Sequence, residues 1–250
     1  MKVVYLDTSS GISGDMFLGA FIDAGFKLSD LKIELSKLKL KDYRIFTKKV
    51  ERQHITATKL YIETSRNIKP LKPNTIEKII KTSRLDKTIK EMALKVFKRL
   101  CQAEAEVHKG QEVHLHELGH LDTILDIVGA CVCVVKWGVE KIYYSRITFG
   151  RGTSKGDITL PIPPPASLVL LKNIPARFSS IESELVTPTG AAILNTLGTF
   201  CAEPVFKVEK VGYGAGQREL KELPNTLRVM VGKEEPSYLK DSVTILESAI

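Results

Sequence analysis

Long apolar runs are missing from this 250-residue sequence: no stretch approaches the roughly 20 residues that a membrane-spanning helix needs, so none is expected. The opening MKVVYLDTSS has a short apolar run closed by Asp7 rather than a charged leader with a long hydrophobic segment, and secretion is not signalled. Cysteine is scarce. Of the four, only Cys131 and Cys133 are close, and they sit in the apolar stretch GACVCVVKWG. That pattern reads as buried helix rather than a disulfide framework or zinc knuckle, and the expected compartment is reducing cytoplasm. Aromatic residues are few and are not interleaved with the lysines of KLKLKDY, FTKKVERQ and KVFKRL. No nucleic-acid recognition module is apparent, so the net charge of +8 reads as a dispersed basic surface. Such a surface would also attract a small phosphorylated anion. Internal repeats and low-complexity tracts are absent as well.

What is present is an ordinary globular composition, 43% hydrophobic, enough to bury a core. KVVYL reads as a buried strand, and DMFLGAFIDAG, after the small-residue turn DTSSGISG, has apolar residues at helical spacing. A second helix near 29–38 and two strand-like segments, DYRIFTKKVE and ITATKLYIET, follow. The proline-containing NIKPLKP suggests a linker, then helices near 74–83 and 86–106. Thr123 to Trp137 is most simply a buried helix, followed by a strand at KIYYSRITFG. Pro163 to Pro165 lead into a helix at ASLVLLKN, and in LVTPTGAAILNTLG Thr187 is placed to cap a helix that starts with Pro188. The end, VFKVEKVGYG, TLRVMVG and SVTILESAI, is strand-rich. The expected class is α+β, mixed sheets packed with helices, with ferredoxin-like character in the N-terminal part. The expected division is an α+β subdomain over 1–68, a helical and mixed region that handles metal over 69–236, and the start of a further domain over 237–250.

The stretch His114-Leu-His-Glu-Leu-Gly-His120 contains H-E-x-x-H from His116 to His120. In a zinc protease both histidines share one helix face and Glu117 polarises a metal-bound water. Asp126 falls where a metzincin would place its third ligand, but Thr123 replaces the glycine that lets the chain turn there. A second reading gathers His114, His116, Glu117, Asp122 and Asp126. His114 and His116 share a face if extended, and Asp122 and Asp126 share a face of the following helix. Imidazole with carboxylate suits Zn, Ni, Fe or Mn. Helix capping is a plainer account of Asp122. Asp7 to Asp15 joins strand to helix through small residues, so the amides around Ser10, Gly11, Ser13 and Gly14 can face a phosphate, unless Ser13 is simply an N-cap. The same alternative holds for Thr187, Thr189 and Gly190. Gly212 to Gly216 reads as a tight hairpin or a backbone nest.

Five segments, SGISGDMFLGAFIDAG, VHLHELGHLDTILDIVGA, LPIPPPASLVLL, ELVTPTGAAIL and GYGAGQREL with PNTLRVMVG, together resemble the LarC family of nickel insertion proteins, in order and across nearly the whole chain. The resemblance implies placement of Ni(II) into a pyridinium mononucleotide bearing two thiocarboxylates, giving an S–C–S pincer complex used by lactate racemase and related enzymes, with CTP consumed and Mg(2+) or Mn(2+) as its cofactor through a further domain. It implies His114, His116, Glu117, Asp122 and Asp126 as metal ligands, and makes H-E-x-x-H accidental, because a small residue is usual at the place of His120. Asp7, Asp15 or Glu117 would accept the ring proton. Two departures stand out: SKGDITLP lacks the His-Gly usual before the proline-rich segment, and relatives continue past the counterpart of VTILESAI into a CTP-binding part. A separately encoded C-terminal domain and a homo-oligomer are therefore expected partners. The rival readings are a zinc metalloprotease and a noncatalytic nickel-storage protein.

Overall fold

The computed structural model describes residues 1–64, 70–108, 119–154 and 159–234. The class is the expected one: a large mixed sheet packed with helices. β1 (Lys2–Asp7), α1 (Gly14–Asp23), α2 (Leu28–Ser36), β2 (Tyr43–Arg52) and β3 (Ile55–Thr64) open the chain, followed by α3 (Pro73–Thr82), α4 (Lys87–Val107) and α5 (Leu121–Lys136). Then come β4 (Lys141–Tyr144), β5 (Ile147–Phe149), β6 (Gly152–Thr153), β7 (Pro161–Ile162), α6 (Pro165–Leu170), β8 (Ala176–Phe178), α7 (Pro188–Leu197), β9 (Thr199–Phe200), β10 (Lys207–Ala215) and β11 (Thr226–Lys233). The strand expected at KIYYSRITFG is two, because the chain leaves the large sheet after Tyr144 and pairs Ile147–Phe149 with β8 instead. The last expected strand, SVTILESAI, lies outside the described residues.

Seven strands form the main sheet in the order β2-β3-β10-β11-β1-β4-β9. β1 lies inside the sheet, antiparallel to β11 and parallel to β4. The sheet thus takes strands from both sides of the boundary expected near residue 68.

Helix α1 lies against β10, β3 and β11, and α5 packs on α1 with α2, α4 and α7 around it. The apolar run in α5 has a direct cause: from Thr123 to Val134 every residue is buried. Cys131 and Cys133 are therefore free thiols inside a helix, and burial pushes both well above the ordinary thiol range.

Close approach of α1 to the sheet explains GYGAG. A Cβ on Gly212 would stand 2.3 Å from the Ala20 carbonyl oxygen, and one on Gly214 would stand 1.9 Å from that of Met16. Neither alternative held for this segment, hairpin or nest. It is strand β10, with glycines where a helix backbone presses on it.

Candidate functional site

Two contacts fix how α1 and α5 cross. The place of a Gly14 Cβ is filled by the Asp126 carboxylate, and that of a Gly129 Cβ touches Leu18. The contacts advance together along both helices, so the two amino ends face the same way. A third amino end joins them. Ile12 bridges Val186 in parallel, Thr187 N–H donates to the Ile12 carbonyl at 3.1 Å, and Gly190 packs against that carbonyl. Here Thr187 caps α7 as expected, its Oγ1 accepting from Gly190 N–H at 3.1 Å, with Pro188 at the first position. Gly11, at φ +93°, lets the loop turn tightly against the Leu185 carbonyl.

Between the three amino ends lies a cavity of about 290 Å³ whose lining includes Asp15, Asp122, Asp126 and Glu184. Helix ends carry partial positive charge, which favours carboxylates placed there. Asp15 is firmly held: its Oδ1 accepts from Ser13 Oγ and from Met16 N–H (2.9 Å), and its Oδ2 from Gln217 Nε2 (2.6 Å). Burial nevertheless raises the Asp15 carboxyl above its ordinary value, the hydrogen bonds only offsetting part of the effect. Asp122 Oδ1 accepts from Thr123 N–H at 2.8 Å, the capping role foreseen for it, while the residue stays exposed at the rim.

Asp126 differs from both. It is 9% exposed, and its Oδ1 is buried without a hydrogen-bond partner. Burial first, then the Asp15 and Asp122 charges, raise its carboxyl well above the ordinary range. A buried carboxyl oxygen with no hydrogen-bond partner is costly unless protonation or a bound ligand relieves it.

The expected residues divide. Ser13, Gly14, Asp15, Asp122, Asp126, Thr187 and Thr189 meet at the cavity. Ser10 and Gly11 do not line it: Gly11 N–H is used by the Thr8 carbonyl, and Ile12 N–H by the Leu185 carbonyl. Gly190 lies buried behind it. Asp7 is not among the lining residues either; burial works to raise its carboxyl, but bonds from Ser9 and the ion pair with Arg228 outweigh this and hold it below its usual value. His114, His116 and Glu117 lie outside the described residues. Among the described residues no three His, Cys, Asp or Glu side chains are close enough to form a metal site by themselves.

His120 also bears on the H-E-x-x-H reading. It precedes α5 with extended backbone (φ −72°, ψ 151°) and is exposed. The helix starts only at Leu121, so His120 does not stand on a helix as that motif requires of its second histidine. Sequence reasoning missed Glu184, Gln217 and the neighbouring Arg218 and Asn225. All four lie in the segments that carry the resemblance, Glu184 in ELVTPTGAAIL, Gln217 and Arg218 in GYGAGQREL and Asn225 in PNTLRVMVG, but no spacing marked them as site residues.

The family profile described as "Nickel insertion protein" matches residues 4–250. A protein of Dictyoglomus thermophilum provisionally named a nickel insertion protein is 40% identical over 256 residues, covering 100% of this chain and 66% of its own length. The pyridinium-3,5-bisthiocarboxylic acid mononucleotide nickel insertion protein of Desulfitobacterium hafniense strain DCB-2 is 41% identical over 240 residues, covering 93% of this chain and 59% of its own. The chain thus spans about 59–66% of the length of these relatives. No solved structure matches.

Proposed function

From the premise that the chain belongs to the nickel insertion protein family, we propose that the acid-lined cavity passes Ni(II) to a pyridinium mononucleotide bearing two thiocarboxylates. The observation that carries this reading is the buried, unpartnered Oδ1 of Asp126 in a cavity ringed by further carboxylates. Nickel is cargo here, not a resident cofactor. Asp122 and Asp126 would hold it together with His114, His116 and Glu117, whose segment joins the described chain two residues before α5. Oxygen and nitrogen ligands exchange, and thiocarboxylate sulfurs are softer and take the metal over.

Forming a nickel–carbon bond releases the ring proton from that carbon. Of the three expected bases, Asp15 lines the cavity, and its raised carboxyl suits a proton acceptor better than Asp7, which Arg228 holds ionised. The triphosphate of the CTP implied by the resemblance would be repelled by this acid-lined cavity. On this reading CTP and its Mg(2+) or Mn(2+) are bound elsewhere than in this cavity. No described helix is long and apolar enough to cross a membrane.

The test is to incubate the chain with Ni(II) and the bis-thiocarboxylated mononucleotide, with and without CTP, Mg(2+) and the C-terminal part of a longer relative. Mass spectrometry should show a product carrying nickel in place of protons, able to activate apo lactate racemase. A product in no combination, with Ni(II) still bound, would leave the storage reading in its place.

A further inference from the structure

Four carboxylates suit a cation but say nothing of how an anionic substrate is received. A smaller cavity of about 210 Å³ adjoins the first, sharing Asp15, Glu184, Thr187 and Gln217 with it and adding Arg218 and Asn225. Among the described residues lining either cavity, Arg218 is the one cationic side chain. Its backbone is fixed. The buried Asn225 donates through Nδ2 to the Arg218 carbonyl at 2.9 Å, and its own carbonyl accepts from Gly216 N–H at 2.9 Å. Arg52 Nη2, from the end of β2, donates to the Gly216 carbonyl at 3.2 Å. Arg218 Nη1 donates to Ser183 Oγ at 3.4 Å, which turns the guanidinium toward the segment leading into α7.

The three helix ends are not equivalent. α1 has Asp15 in its first turn and α5 has Asp122, whereas α7 has no acid there. Asp15 and Glu184 also line the smaller cavity, so Arg218 is the side chain there that can take an anion. We propose that Arg218, beside the amino end of α7, forms an anion subsite that holds the phosphate of the mononucleotide while its ring reaches toward Asp15 and Asp126. The inference rests on the function proposed above and adds to it a residue and a direction of binding.

The chemistry is specific. A guanidinium offers a planar fork of donors that matches two phosphate oxygens, which an ammonium does not. Elsewhere in the two cavities a phosphate would face carboxylates with no cationic side chain to offset them. At the opposite end, the unpartnered Asp126 Oδ1 calls for a cation or a donor, not an anion. The two ends thus sort a molecule that is negative at its tail and metal-binding at its ring.

Arg218 is exposed, so its replacement should leave the fold intact. The experiment is calorimetric titration of the chain with nicotinic acid mononucleotide and with the corresponding riboside, which lacks the phosphate, alongside a separate Ni(II) titration. Wild type should bind the mononucleotide more tightly than the riboside. Arg218→Gln should weaken the mononucleotide by about tenfold or more and leave the riboside unchanged, with Arg218→Lys between. Mononucleotide affinity that is absent in wild type, equal in the Gln variant, or lost in parallel for the riboside overturns the subsite. Ni(II) affinity should be the same in all three proteins. Its absence from wild type would count against the insertion function while leaving the phosphate comparison intact.

Discussion

At the scale of single residues, the sign of Asp126's effect on stability follows from its surroundings. Burial, then the charges of Asp15 and Asp122, keep its carboxyl protonated in the fold above the range where an unfolded chain has already lost the proton. Over that window the folded state binds more protons than the unfolded one, so this group's contribution falls as pH rises through it. Asp126→Asn removes the penalty. Thermal melts in the absence of metal should show the variant more stable than wild type by a few degrees at neutral pH, and the gap should close toward about pH 4 and below, where wild-type Asp126 is protonated folded and unfolded alike. Ni(II) must displace the same proton, so wild-type affinity should climb with pH and that of the variant should be low and flatter. A variant no more stable than wild type at neutral pH would mean that Asp126 is satisfied in the fold. Asp122 and Asp126 were legible because a four-residue spacing on an apolar helix is a local signal. Glu184, Gln217 and Arg218 were not, since sheet order rather than spacing brings their loops to the cavity.

Elements show where glycine carries packing and where it carries conformation. At Gly214 a methyl group would collide with α1 backbone, which cannot move without carrying the helix off the sheet. Gly214→Ala should therefore cost on the order of 1–3 kcal/mol or more. Gly138 has φ +66° and nothing within 4 Å of a built Cβ, so Gly138→Ala meets only backbone strain, about 1 kcal/mol. Denaturant unfolding of both variants should separate the two effects, with Gly214→Ala the larger loss; the reverse order would mean that α1 can slide. Thr187→Ala, which deletes the α7 cap bond to Gly190, should cost about 1 kcal/mol in the same assay. The cap could be read from Thr-Pro-Thr-Gly because both halves of it are local. The glycines of β10 were misjudged because their reason lies almost two hundred residues earlier in the chain, in α1.

For the whole molecule, the sheet decides how the chain unfolds. β10 and β11, close to the end of the described chain, lie between β3 and β1, which come from its beginning. No cut in the sequence near residue 68 leaves two complete sheets. The helices and strands could be read from periodicity, but this interleaving could not, because pairing partners far apart leave no mark on either segment. The single tryptophan reports on the junction. Trp137 lies 5.5 Å from Phe21 and 5.9 Å from Phe26 between ring centroids, with Lys210 of β10 over its ring. Its fluorescence thus follows α1, α5 and β10 together, while far-UV circular dichroism follows all the helices and strands. If the interleaved sheet makes one cooperative unit, the two signals should trace the same denaturant transition within error. A chain ending before Lys207, which loses both inserted strands, should show no cooperative transition at all. A separate earlier step in the fluorescence, or a cooperative melt from the shortened chain, would show that one part of the sheet holds together without the other.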